Sequence, residues 1–271
     1  MWAFGVAPAV LDASGSRGET INQSFTLVND NELDTVFYFE TLKVEAKGES
    51  GSPKFIPYNT DHSELPDWIT LSTKKLVVPA RSFVEVPFSI NIPSDIESKS
   101  YYAAITVTDQ APANVDSIQT KTAILVFLTV KGQTIEQAGL LDLVVLPSQS
   151  DRFLGTATYR IQNQGNVYLQ PTGEIIFKDI FGRTLSITDA NPENSRVLPE
   201  TTRAFETGFG NENYWSNLAI GPISAELTLN YGVEGKMNSK TTFWIIPWQL
   251  ILSIIGLLTI LIGIKTSLKK K

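Results

Sequence analysis

Cysteine is absent from the 271 residues, and histidine occurs once, as His62. Without cysteine the chain forms no disulfide framework and no thiolate metal site, and it has no cysteine nucleophile. A single histidine does not supply the several convergent ligands of a zinc site, and it leaves histidine acid–base chemistry to one side chain. The composition therefore favours a protein that is not an enzyme and that carries no cofactor.

Basic residues are scarce outside the last few positions. The net charge is -6 at pH 7, and four lysines lie within residues 265–271, so the rest of the chain is more acidic still. An acidic surface does not attract polyanions in bulk. We therefore expect no nucleic-acid partner, and any binding to anionic wall polymers would need a local basic patch.

Residues 243–264 contain no charged side chain. A helix of that length covers roughly 33 Å, close to the ~30 Å hydrocarbon core of a bilayer. Phe243, Trp244 and Trp248 lie at its leading end, where amphipathic aromatic rings favour the membrane interface. The segment predicts one membrane-spanning helix over residues 243–264.

The charges that flank this segment predict its orientation. Four lysines follow it, at Lys265, Lys269, Lys270 and Lys271, whereas only Lys236 and Lys240 lie in the twenty residues before it. By the positive-inside rule the tail of residues 265–271 is cytoplasmic and the preceding domains are extracellular. Residues 1–10 do not resemble a signal peptide, so we expect either that a signal was removed or that the start was misassigned.

Upstream of the span, apolar and polar residues alternate over short runs, which is the periodicity of strands. Eight candidate strands precede residue 132: 4–12, 22–29, 35–46, 68–71, 75–78, 83–92, 101–108 and 122–131. Seven more follow: 140–146, 153–161, 166–178, 183–187, 202–207, 222–231 and 237–246. This all-β pattern predicts two immunoglobulin-like β-sandwich domains, over residues 1–132 and 133–242, followed by the one transmembrane helix.

Two short segments hint at an internal duplication. Val78-Pro79-Ala80 precedes a candidate strand in the first half, as Leu198-Pro199-Glu200 does in the second. The match is too short to establish a repeat by itself.

Several polar and aromatic clusters have competing interpretations. His62 lies among carboxylates, but one histidine in a polar loop is usually solvated. The acidic turn of residues 30–34 offers oxygen ligands for calcium but lacks an EF-hand spacing, so an ordinary solvated turn is the stronger interpretation. Trp68 and Tyr101 are better explained as sandwich core than as ligand-stacking rings.

Residues 47–66 form a connection between strands that is longer than structure alone requires. Within it lie four consecutive apolar or aromatic residues, Phe55, Ile56, Pro57 and Tyr58. They either staple the loop to the sandwich or present a contact surface for a partner. We take these four residues as the candidate partner-binding site.

Three stretches carry a resemblance to a known family: GVAPAVLDAS with GETINQSFTLVND, LVVPARSFVEVPFSINIPSD with SYYAAITV, and FWIIPWQLIL with the basic tail. In this order they resemble the WxL-interacting family of bacterial cell-surface proteins. The resemblance implies a peptidoglycan-binding first domain and a second domain that binds partner or host proteins. It transfers no individual binding residue.

Taken together, these features lead us to expect a membrane-anchored adhesion or scaffold protein of the cell envelope that binds peptidoglycan or another surface protein. An accessory subunit of a membrane export or surface-assembly complex would have the same architecture. A hydrolase on a β-scaffold would need a convergent polar site, which no motif in the sequence indicates.

Overall fold

The computed structural model describes residues 4–56, 64–110, 121–210 and 219–269. Within these ranges the chain is all-β apart from the four-residue helix α1 and one apolar C-terminal helix, α2. The described residues group into two compact units that divide between Ile135 and Glu136 along most of the chain.

The first unit contains ten strands and α1. Their bounds are β1 Phe4–Ala7, β2 Val10–Gly15, β3 Thr20–Asn29, β4 Thr35–Lys47, β5 Ser52–Ile56, α1 Leu65–Trp68, β6 Ile69–Leu71, β7 Lys75–Val78, β8 Ser82–Asn91, β9 Ser100–Thr108 and β10 Thr122–Val130. One sheet has the order β1-β3-β8-β6, and the other has the order β2-β10-β9-β4-β5, with β7 also paired to β4.

The core of this unit lies between the two sheets, because each strand turns alternate residues inward. Val86, Phe88 and Ile90 of β8 are buried against Ile105 and Val107 of β9. The candidate strands over residues 83–92 and 101–108 are thereby confirmed as β8 and β9. The unit is therefore a sandwich with one continuous apolar core.

The run predicted as one strand over residues 4–12 forms two strands in different sheets. β1 pairs antiparallel with β3, whereas β2 pairs parallel with β10. Pro8 lies between them, in a cis peptide bond with Ala7. Apolar periodicity does not reveal a strand's partner, so it does not predict this change of sheet.

The second unit contains seven strands and α2. Their bounds are β11 Ala138–Pro147, β12 Gly155–Asn163, β13 Thr172–Lys178, β14 Thr184–Asp189, β15 Thr202–Phe209, β16 Gly221–Tyr231, β17 Gly235–Ile245 and α2 Trp248–Lys269. One sheet has the order β11-β12-β15 and the other the order β14-β13-β16-β17. Four phenylalanines pack together in the core, with ring centres 4.6 to 6.5 Å apart: Phe153, Phe177, Phe209 and Phe243.

The C-terminal helix begins later than the sequence predicted. Phe243, taken as the first residue of the span, lies in β17 and is only 8% exposed. Its ring belongs to the core of the second unit and is not an interfacial anchor. The alternation of Phe243 and Ile245 inward with Trp244 outward marks this stretch as strand, which confirms the candidate strand over residues 237–246 and corrects the start of the predicted span.

A buried asparagine ends the corresponding strand in each unit. Asn29, at the end of β3, donates from its amide to the carbonyls of Leu33, Val78 and Pro79. Asn163, at the end of β12, donates to the Val197 carbonyl at 3.0 Å.

The segments that these asparagines hold lead into β8 and β15, and each contains a non-glycine residue with positive φ, Arg81 at 53° and Glu200 at 58°. These are the two segments whose sequences hinted at a duplication. The shared asparagine clamp is the structural counterpart of that short sequence match.

Candidate functional site

Two of the four residues predicted as a contact loop lie in a strand. Phe55 and Ile56 belong to β5, which pairs antiparallel with β4 in the register Val44 opposite Phe55. Phe55 is 40% exposed. Pro57 and Tyr58 lie outside the described residues. The stretch was predicted as loop because SPKFI is short and interrupted by proline and lysine, yet β5 is an edge strand, where proline is tolerated.

The neighbouring strand β4 has a gap between the segments that pair with β5 and with β7. β7 pairs with β4 from Thr35 to Tyr38, and β5 pairs with it from Lys43 to Lys47. Between them, residues 39–42 have no partner strand on this edge within the described part of the chain. The same residues pair with β9 on the other side.

The backbone direction in the gap follows from one hydrogen bond. The Phe39 N–H donates to the Lys74 carbonyl at 3.0 Å, so Phe39 turns its backbone groups toward the β7 side. In an antiparallel ladder every second residue of a strand directs its backbone N–H and C=O groups to the same side. Thr41, two residues after Phe39, therefore directs its N–H and C=O groups into the gap. The gap therefore presents backbone groups at the spacing that an added strand would complement.

A groove of about 690 Å³ surrounds this stretch of β4. Its walls combine Phe39 and Thr41 of β4 with Ile69 and Leu71 of β6. Phe39 and Ile69 are buried, so the floor is apolar and shaped by the sandwich itself. We call this surface the β4 groove.

Charged side chains line the rim of the β4 groove. The Lys121 ammonium lies 2.7 Å from a Glu40 carboxylate oxygen, and the Lys75 ammonium lies 5.6 Å from the centre of the Tyr38 ring. Asp67 and Lys74 complete the rim. Because both signs of charge are present, the rim favours no strongly charged ligand.

A second cavity lies beside Lys43 and Tyr101, and each of its two lysines pairs with a carboxylate. Lys43 donates to Glu64 at 2.6 Å, which raises the pKa of that lysine. Lys99 lies 2.9 Å from Glu97. Burial raises the pKa of Tyr101 to about 12, so its hydroxyl stays protonated at neutral pH. These contacts tie neighbouring segments together and place no activated nucleophile in the cavity.

The other candidates from the sequence have structural partners or are not described. Glu32 pairs with Arg81, and Asp34 accepts a hydrogen bond from the Ala80 N–H at 2.9 Å, so the acidic turn braces the segment before β8. The described residues contain no group of three or more histidine, cysteine, aspartate or glutamate side chains that could hold a metal. His62 lies outside the described residues.

The two aromatic residues interpreted as core are buried. Trp68 and Tyr101 pack with their ring centres 4.6 Å apart. The core-packing interpretation is thereby confirmed for this pair.

No family model matches this chain, and no curated protein matches it either. Among solved structures, it is similar to the class 5 fimbriae chaperone CfaA, with 14% identity and a TM-score of 0.45 over 90% of this chain and 99% of that one. It is also similar to the E. coli chaperone DraB, with 10% identity and a TM-score of 0.39 over 88% and 98%. A PapD-like domain of human CEP192 matches 48% of this chain and 87% of its own length, with 12% identity and a TM-score of 0.32.

All of these TM-scores lie below 0.5, so the similarities assign neither a family nor a function. They do not bear on the WxL-interacting family. The resemblance to that family therefore stays a prediction.

The remaining predicted interface residues lie at the start and end of α2. Trp244 is 62% exposed and Trp248 is also exposed. Lys265 is exposed on α2, Lys269 is the last residue of α2, and Lys270 and Lys271 are outside the described residues. From Trp248 to Lys265 the mean hydropathy is 2.0 and none of the window is buried, so by length and composition this helix can cross a membrane.

Proposed function

We propose that this chain is a membrane-anchored, non-enzymatic module that binds another protein during surface assembly. In this proposal each compact unit is an immunoglobulin-like domain, both lie outside the cell, and α2 is a single-pass anchor with a cytoplasmic C-terminus. The fully exposed apolar surface of α2 supports the anchor, because an unburied apolar helix of this length is costly in water.

The single observation that carries the protein-binding role is the stretch of β4 at residues 39–42, which has no partner strand on one edge within the described part of the chain. An exposed sheet edge accepts an extended peptide as an additional strand, with main-chain hydrogen bonds for affinity and pockets for alternate side chains. Here β5 and β7 close both ends of the gap, so the bound segment is short. The apolar floor formed by Phe39, Ile69 and Leu71 favours an apolar side chain at its centre.

Peptidoglycan fits this groove less well. A strand edge offers alternating N–H and C=O groups that an extended polypeptide complements directly, whereas the glycan strands of peptidoglycan present hydroxyls without that repeat. We therefore favour the surface-assembly role over binding to the wall polymer. A protein partner for adhesion would use the same groove.

Site-specific photo-crosslinking in native membranes tests the binding surface. A photoreactive amino acid replaces Thr70, on the wall of the β4 groove, and a matched one replaces Glu85, on the exposed face of β8. We expect a discrete polypeptide adduct from position 70 and none from position 85. Equal adducts from both positions, or none from position 70, would refute the proposed site.

A backbone substitution tests the mode of binding. Thr41→Pro removes the N–H that faces the gap, whereas the hydrogen bonds between β4 and β9 use the other alternate residues. Loss of about one net hydrogen bond plus the bulk of the ring should reduce the adduct by roughly ten-fold or more. Thr41→Val, which keeps the N–H, should leave it unchanged, and a normal adduct from the proline variant would exclude strand addition.

A further inference from the structure

The outer face of the second unit changes from charged to apolar along β16 and β17. At its charged part, Glu226 pairs with Lys178 of β13 and lies 2.8 Å from Lys240 of β17. The next outward pair toward α2 is Ser224 opposite Thr242, and the one after it is Pro222 opposite Trp244. The polarity of this face therefore falls stepwise toward the membrane helix.

The end of the unit that carries α2 gathers six exposed large apolar side chains. They come from four separate segments, namely β11, the β13–β14 turn, the residue before β16 and the end of β17: Leu146, Ile180, Phe181, Ile220, Trp244 and Ile246. We call these six residues the base surface. Phe181 is the most exposed of them, at 77%.

Contacts between these segments place the base surface around the start of α2. The Ile246 N–H donates to the Ser150 carbonyl at 2.7 Å, which ties the loop after β11 to the end of β17. A Cβ on Gly221 would lie 3.8 Å from Ile180 Cγ2, so the β13–β14 turn abuts the start of β16. The apolar residues thus border one end of the sandwich.

The connection from this end to α2 is short and hydrogen-bonded. β17 ends at Ile245 and α2 begins at Trp248. The Trp248 N–H donates to the Ile246 carbonyl at 2.7 Å, and the Ile251 N–H donates to the Pro247 carbonyl at 3.1 Å. With two intervening residues and no flexible linker, a bilayer that takes up α2 also meets the base surface.

We propose that the base surface is a second membrane contact, inserted into the headgroup region of the bilayer beside α2. This inference rests on the proposed anchor. Its occupant is lipid, because the surface is continuous with the lipid-facing helix, and along β16 and β17 charged residues begin only at Glu226 and Lys240, two outward pairs beyond Trp244. The Arg183 guanidinium, which lies 5.7 Å from the Phe181 ring centre and pairs with Asp179, is placed to meet phosphate groups. Two contacts hold the second unit at a defined tilt, which a helix alone would not do.

The absence of cysteine makes a labelling experiment direct. Three single variants of the full chain, Phe181→Cys, Val233→Cys and Leu257→Cys, are labelled with an environment-sensitive fluorophore and reconstituted into phosphatidylcholine–phosphatidylglycerol vesicles. Spin-labelled lipids that carry the quencher near the headgroup or deep in the chain report depth. Val233 is the matched control, since it is 87% exposed and lies in the β16–β17 turn, at the opposite end of the unit.

The three positions separate the inference from the proposed anchor. Leu257, in the middle of α2, should be quenched by the deep lipid, and failure there would refute the anchor itself. The label at 181 should be quenched by the shallow lipid at least about two-fold more than that at 233, because interfacial segments bury their apolar side chains about 5–10 Å into the boundary region. Quenching at 257 with a label at 181 that is water-exposed, or shielded yet unquenched by either lipid, would overturn the base surface as a lipid contact.

Discussion

Each unit exposes apolar side chains at one end of its sandwich, but their surroundings differ. In the first unit Leu33 and Phe83 are exposed beside the Glu32–Arg81 ion pair. In the second unit the exposed Trp244 and Ile246 run without an intervening charge into α2. The two sandwiches therefore differ in their surfaces although their strand arrangements are similar. Functional differences between the units lie in those surfaces and not in the shared fold.

The interiors differ in a related way. The first unit opens a gap beside β4, whose floor is part of its own core. The second unit packs four phenylalanine rings directly above the end that carries α2. In the proposed function the open edge of the first unit receives a peptide, and the densely packed end of the second unit rests on the membrane. The following predictions test whether the two units are as separate as this contrast requires.

The largest effects should come from one buried ring in each unit. Phe37→Ala and Phe177→Ala remove fully buried side chains and should each lower the free energy of unfolding by about 3–5 kcal/mol. If the units fold independently, thermal unfolding of the detergent-solubilised chain followed by calorimetry will show one shifted transition per variant. Phe83→Ala and Phe181→Ala, which truncate exposed rings, are the controls and should shift neither transition appreciably. A single transition that moves equally in both core variants would break the comparison.

The asparagine clamps should give effects of intermediate size. Asn29→Ala leaves three carbonyls and the Asn31 N–H without their partner, and we expect a loss of about 2–4 kcal/mol. Asn163→Ala removes the donor to the Val197 carbonyl and should cost about 1–3 kcal/mol. Urea unfolding of each variant measures the difference.

Asn22→Ala is the control for the clamp variants, because Asn22 is exposed on the same strand as Asn29 and its change should stay within about 0.5 kcal/mol. A change within about 0.5 kcal/mol for either clamp variant would show that its asparagine does not stabilise the strand end.

The clamp also shows where sequence reasoning succeeds and where it ends. Strands β7 to β10 were predicted to within one residue at each end, because each is an apolar segment bounded by turn residues. The Pro-containing segments before β8 and β15 were noticed as similar, but not the asparagines that hold them, since Asn29 and Asn163 lie far from them in the chain.

The candidate site was predicted only in part, for the same reason. Phe55 and Ile56 lie in a strand next to the β4 groove, but the gap itself is defined by where β5 and β7 end against β4. That is a matter of register between distant segments, which local periodicity does not encode. The base surface was likewise invisible, because its residues come from four segments of the chain.

Two buried tyrosines should give smaller effects that depend on pH. Tyr159 donates to the Ala190 carbonyl at 2.8 Å, and Tyr101 donates to the Glu97 carbonyl at 3.1 Å. Tyr159→Phe should cost about 0.5–1.5 kcal/mol at neutral pH.

Burial raises the pKa of Tyr101 from 10.0 to about 12 and also raises that of Tyr159. The unfolded chain therefore loses the phenolic protons first, and stability should be complete below pH 10 and fall as the pH rises toward 12. Between pH 10 and pH 12 the free energy of unfolding should fall less steeply for Tyr159→Phe than for the native chain. An unchanged slope for Tyr159→Phe would mean that the Tyr159 ring is hydrated and that the core of the second unit is less closed than that of the first.

The smallest effect concerns the charged part of the second unit's outer face. Hydrogen bonds from Lys178 and then Lys240 lower the pKa of Glu226 from 4.5 to about 2. A carboxylate with a lowered pKa contributes stability that is present above its unfolded value, so this contribution should be lost as the pH falls from about 4.5 toward 2. Because Glu226 lies at the surface, Glu226→Gln should cost less than about 1 kcal/mol at pH 7 and flatten the acid limb of the stability curve.

Glu32→Gln in the first unit, where the carboxylate is far more exposed and pairs with Arg81, is the control and should have no measurable effect at pH 7. Equal losses from both variants would indicate that the second unit's ion-paired face is no more ordered than an ordinary surface pair.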